Sequence, residues 1–208
     1  MMTTPVGPAE HRPEGWAVAA PPARVGRRAL GQAGWTGSSV ITNYLLGHPW
    51  VAPAALVLLV VFGPFLGRWM VSRPRLAWLL TGVSLLAVAA LTLVPVDRET
   101  FATCTVQWTL PTPARVELFA NLVLFVPPTL LAGVALRRPA VVALAASGLS
   151  AAIEGVQAAA PAIGRSCDTT DWLCNTIGAL VGALLAWVAL RLARRRRAGD
   201  PADLSRGH

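Results

Sequence analysis

Residues 153–182 read IEGVQAAAPAIGRSCDTTDWLCNTIGALVG, and they set Glu154, Gln157, Arg165, Asp168, Asp171 and Asn175 between two long apolar runs. Each run is long enough to span a bilayer. A charge at the centre of a membrane helix costs roughly 2.5–3.5 kcal/mol, so such groups face a protein interior or water. This stretch therefore decides both how the chain folds and where its function is to be sought.

Working outward, the chain reads as an all-α polytopic membrane bundle of about five transmembrane helices. At about 1.5 Å per residue, a hydrocarbon core of roughly 30 Å calls for about twenty apolar residues. Residues 50–66, 76–94, 116–136, 140–160 and 171–192 approach or meet that length. Trp50 and Trp69 fall at interfacial positions, and Pro127 with Pro128 should kink the third span. Residues 40–192 form the membrane domain, and a short re-entrant or interfacial element is a further expectation at residues 40–46. Residues 1–39, rich in Pro, Gly, Ala and Arg, read as a disordered tail because they bury too little apolar surface to offset ordering entropy. Residues 193–208 read as a basic cytoplasmic tail.

Composition agrees with that class. Of 208 residues, 54% are hydrophobic and only 13% charged, which sets the chain apart from soluble domains. The formal charge of +8 comes from arginine alone, with no lysine. Arginines beside apolar runs orient membrane proteins and meet anionic lipid, and no nucleic-acid-binding signature accompanies them. They follow the first, third and fifth spans, so the positive-inside rule puts those ends and the C-terminus in the cytoplasm and the N-terminus outside.

Depth and spacing then gather the polar residues. Glu154 lies about 21 Å along the fourth span, in the outer third of the core, and Asn121 and Asn175 sit at similar depth near the starts of inward-running helices. Glu117 with Asn121, Glu154 with Gln157, and Asp171 with Asn175 are three or four residues apart and share a helical face. Arg165 and Asp168 lie in the loop above, so a polar pocket opening outside is expected. Each residue also has a packing role: Glu154 pairing with Arg165, Asp171 capping the fifth helix, Asn175 bonding across helices. Gly178 and Gly182 form a GxxxG pair suited to close packing on the third or fourth helix, with Gly148 and Gly155 in the same role. Cys104 and Cys167, both in outer loops, are candidates for a disulfide, leaving Cys174 free.

The run Glu154-x-x-Gln157, then Arg165-x-x-Asp168-x-x-Asp171-x-x-x-Asn175-x-x-Gly178-x-x-x-Gly182, resembles the signature of VanZ-like membrane proteins. The earlier run Asn121-x-x-x-Phe125-x-Pro127 is similar to that family's other motif, and the resemblance covers residues 116–192. Thr129 stands where the family commonly has Gly. The resemblance implies a multi-pass protein of the bacterial cell membrane, acting at its outer face on a cell-envelope component or in glycopeptide response, as in teicoplanin resistance.

Three chemistries suit the cluster. Arg165 with Glu154, Asp168 and the amides could bind an anionic glycan or lipid head group. Glu154, Asp168 and Asp171 could hold a hard divalent cation; no other cofactor is implied. Catalysis on an envelope lipid by Glu154 is the enzymatic alternative, without a nucleophile motif and with all three histidines, His11, His48 and His208, outside the cluster. A purely structural scaffold is the fourth reading. The oligomeric state has no signature.

Overall fold

The computed structural model describes residues 44–95, 104–160 and 167–198. Five helices follow one another: α1 (Val51–Met70), α2 (Pro74–Leu93), α3 (Val116–Leu136), α4 (Pro139–Ala159) and α5 (Thr169–Ala198). All five are long and apolar enough to cross a membrane. Among the described residues there is no strand, only an isolated bridge between Thr105 and Asp168. The chain is a multi-pass membrane protein.

Two helices outrun their apolar stretches. α1 continues past Leu66 through Arg68 to Met70, and α5 passes residue 192 and carries its arginines to Ala198. Arginine is a good helix former, and its long stem lets the charge leave hydrocarbon, so the end of hydropathy is not the end of the helix. The helical part of the C-terminal region thus extends beyond the boundary expected at 193. Of the anticipated element at 40–46, residues from Tyr44 form one helical turn; residues 40–43, like the N-terminal tail, lie outside the described residues.

Helix starts and stops follow local chemistry. Pro74 and Pro139 begin α2 and α4, where their missing N–H would have had no helical partner. α3 runs unbroken through Pro127 and Pro128 and ends at Arg137, which adopts a left-handed φ of 57°. The hydroxyls of α2 return to their own backbone: Thr81 donates to the Ala77 carbonyl, Ser84 to Leu80 and Thr92 to Val88. This leaves no unmet donor facing lipid at those positions.

The core is made by the odd-numbered helices. A Cβ on Gly178 would strike the Leu122 backbone, and one on Gly182 would lie 2.6 Å from the Val126 carbonyl oxygen. Further along, Gly133 faces Ala186, and Gly67 of α1 faces Val134 and Ala189. Residue numbers rise together along all these contacts, so α1, α3 and α5 run parallel. The stripe Leu122, Val126, Leu130 and Val134 on α3 packs with Leu185, Ala186 and Ala189 of α5 into one buried cluster. Side chains this close gain dispersion energy that hydrocarbon tails would otherwise supply less densely. α2 and α4 flank this core, running the other way.

Candidate functional site

Antiparallel alternation sorts the charges. The four carboxylates among the described residues, Glu117, Glu154, Asp168 and Asp171, all lie at the end where α1, α3 and α5 begin. Every described arginine except Arg115 lies at the opposite end. Helix N-termini carry partial positive charge and C-termini partial negative charge, so the odd helices favour this partition at both ends.

At the acidic end two loops are clamped together. Cys104 and Cys167 form a disulfide, with Cα atoms 4.7 Å apart, while Cys174 is free and buried. Thr105 N–H donates to the Cys167 carbonyl at 2.9 Å, and Thr169 N–H donates to the Thr105 carbonyl at 3.2 Å. Gln107 completes the clamp. Its N–H donates to Thr169 Oγ1 at 2.9 Å, and its carboxamide Nε2 donates to Asp168 Oδ2 at 2.6 Å. Its carbonyl accepts from Thr169 Oγ1 at 2.6 Å and Thr170 Oγ1 at 2.9 Å.

Asp168 starts α5. Its Oδ1 accepts from Thr170 N–H at 2.8 Å, meeting one of the orphan donors of the first turn. The cap anticipated at Asp171 therefore belongs to Asp168, because α5 begins at Thr169, two residues before the apolar run. Asp171 lies within that first turn, where a negative charge is favoured by the helix dipole.

Glu154 is 7% exposed, the only carboxylate or guanidinium buried among the described residues. Its Oε2 accepts from the Asp168 N–H at 2.9 Å, tying α4 to the start of α5. Gln157, one turn on, donates from Nε2 to the Thr92 carbonyl at 2.9 Å, so it satisfies a carbonyl in the last turn of α2. Deeper, Asn175 donates from Nδ2 to Ser150 Oγ at 2.9 Å, while its buried Oδ1 has no partner. Ser147 Oγ lies 2.9 Å from Thr176 Oγ1, and Trp172 Nε1 donates to the Ser147 carbonyl at 3.3 Å.

Glu154 and Asp168 thus meet, whereas Gln157 turns to α2 and Asn175 to α4. Asn121 is half-buried on α3 beside Leu122 and makes no hydrogen bond among the described residues. Arg165 lies outside the described residues, and so does its proposed pairing with Glu154. The carboxylates considered as cation ligands, Glu154, Asp168 and Asp171, form no metal-binding group among the described residues. Glu154 and Asp168 instead accept N–H donors of the chain.

Gly178 and Gly182 lie on the backbone of α3, as a small-residue pair would. Gly148 and Gly155 differ from expectation: a Cβ on either would meet nothing within 4 Å, because both face away from the core. Thr129 is fully buried against Gly182, its hydroxyl unpartnered. Sequence reading missed Gln107, Thr92, Ser147 and Ser150. Gln107 alone had a signal, three residues from a candidate disulfide cysteine.

A family model described as VanZ/LLP1 matches residues 50–191. Comparison with curated proteins and with solved structures found no match.

Proposed function

Because the chain belongs to the VanZ/LLP1 family, we propose that its acidic end recognises or modulates a component of the cell envelope at the outer face of a bacterial membrane. The segregation of charge carries the reading. Arginines hold one end at the cytoplasm by the positive-inside rule, which turns the carboxylates, the disulfide and the N-terminus outward. In this orientation the residues assigned to recognition are Glu154, Gln157, Arg165, Asp168, Asp171 and Asn175, with Asn121 of α3. The unspent Asn121 carboxamide supplies hydrogen bonds to a glycan or lipid head group, and Arg165 supplies charge for an anionic one. A divalent cation would join through the carboxylates. A response to glycopeptides such as teicoplanin is the physiological setting that the family suggests.

One observation favours a structural reading of the same residues: the bonds from Glu154 to Asp168 and from Gln157 to Thr92 join elements of the bundle itself. Thermal unfolding of the detergent-solubilised chain separates the two. Wild type, Glu154→Gln and Arg165→Ala are each melted with divalent cations, with EDTA and with envelope-precursor lipids. A ligand for the folded state raises apparent stability by mass action. Stabilisation of wild type alone by one addition supports recognition. Strong destabilisation of both variants with no response of wild type would leave only helix-to-loop fastening.

A further inference from the structure

At the opposite end a groove of about 200 Å³ opens between α2 and α4, with α3 as its floor. Trp78 and Leu85 form one wall, Val142 and Leu149 the other, and Phe125 to Leu136 the base. On all three helices the lining begins at the arginine end and stops about halfway. Along α3 it extends about 16 Å at about 1.5 Å per residue, close to half of a roughly 30 Å hydrocarbon core. That is the depth of one leaflet.

The mouth of the groove is cationic. Arg75 lies three residues before Trp78 on α2, a spacing that places it on the groove side, while Arg137 directly follows Leu136 and Arg138 precedes the first turn of α4, its carbonyl accepting from Val142 N–H. All three are exposed, and none of their guanidinium groups makes an ion pair or hydrogen bond among the described residues. Arg73 and Arg191, by contrast, stack on Trp69 and Trp187 at 3.9 and 4.8 Å. Since the described carboxylates all sit at the far end, the counter-charge for these three guanidiniums must come from outside the helices. An apolar slot one leaflet deep beneath unpaired arginines has the chemistry of a phospholipid chain under its phosphate.

We propose that this groove binds one acyl chain of an anionic phospholipid from the arginine-bearing leaflet, with the phosphate held by Arg75, Arg137 and Arg138. The site is separate from the acidic end and independent of its reading. The occupant lies against α2, α3 and α4 at once, filling the space that the sparse contact between α2 and α4 leaves open.

Native mass spectrometry of the full chain in neutral detergent tests this, with phosphatidylglycerol and phosphatidylcholine of identical chains as probes. Wild type is expected to retain phosphatidylglycerol about tenfold better. Arg137→Gln with Arg138→Gln brings the ratio to within about twofold, while Arg194→Gln with Arg195→Gln leaves it unchanged. Ala145→Phe, which fills the groove, lowers retention of both lipids. If that variant melts early, Leu85→Trp from the other wall replaces it. Equal retention of the two lipids by wild type overturns the proposal, as does selectivity that follows Arg194 and Arg195. Retention that survives a folded groove-filling variant overturns it too, since only a surface charge effect would then remain.

Discussion

α2 and α3 are nearly the same length, 20 and 21 residues, and the most apolar 18-residue stretch of α2 is the more hydrophobic, with a mean hydropathy of 2.2 against 1.9 for that of α3. Yet only 22% of that stretch of α2 is buried in the protein against 61% of that of α3. In water the greasier helix would be expected inside. In a bilayer, lipid tails are as apolar as leucine, so hydropathy marks what enters the membrane and says little about what touches protein. Close approach decides instead. α3 is central because α5 offers glycines where the Leu122 and Val126 backbones arrive, and α2 is peripheral because its Gly82 faces open space.

The largest expected effect tests that contrast directly. Gly178→Ala puts a Cβ into the Leu122 backbone, which cannot rotate aside, and should cost about 3 kcal/mol or more. Loss of monodisperse protein on size exclusion, or a collapsed melting temperature, is the readout; a near-wild-type melt would refute backbone contact between α3 and α5. Next, Cys104→Ser removes the bridge across a sequence separation of 63 residues. It should cost at most about 4 kcal/mol in the chain-entropy account, and less where inserted helices already limit the unfolded chain. Comparing oxidised and reduced melts checks it.

Glu154→Ala leaves the Asp168 N–H without its acceptor and should cost about 2 kcal/mol, with Glu154→Gln recovering part of that through its carbonyl oxygen. Wild-type melts for both variants would mean that the carboxyl group contributes nothing as an acceptor. The smallest effect sharpens the comparison from the other side. Gly148→Ala or Gly155→Ala should be neutral or stabilising by about 0.5 kcal/mol, because the added methyl meets no neighbour and alanine favours the helix. A clear destabilisation there would mean a partner on α4 that the isolated chain does not provide.

The same contrast explains what could be read in the sequence. The five spans were legible because length and apolarity are one-dimensional properties. The disulfide was legible because two cysteines fell in loops on one side. The Gly178 and Gly182 pair was legible as close packing, but Gly148 and Gly155 look identical in sequence and differ only in which face they occupy. The cap was read at Asp171, where the apolar run begins, and it falls on Asp168 because two threonines begin α5 before that run does. Gln107 carried one signal, its nearness to Cys104, but its partners Asp168, Thr169 and Thr170 lie more than sixty residues away and left no local pattern.

The parallel course of α3 and α5 has a bearing on how the protein is made. Parallel neighbours cannot be joined by a tight hairpin, so the chain must cross the bilayer once more, as α4, before the helix that completes the centre can be threaded in. Until α5 is inserted, the carbonyl ridge of α3 at Leu122 and Val126 lacks the glycines that receive it. α5 therefore decides whether α1 to α4 find a common centre, and a chain that lacks it carries its vacancy along α3.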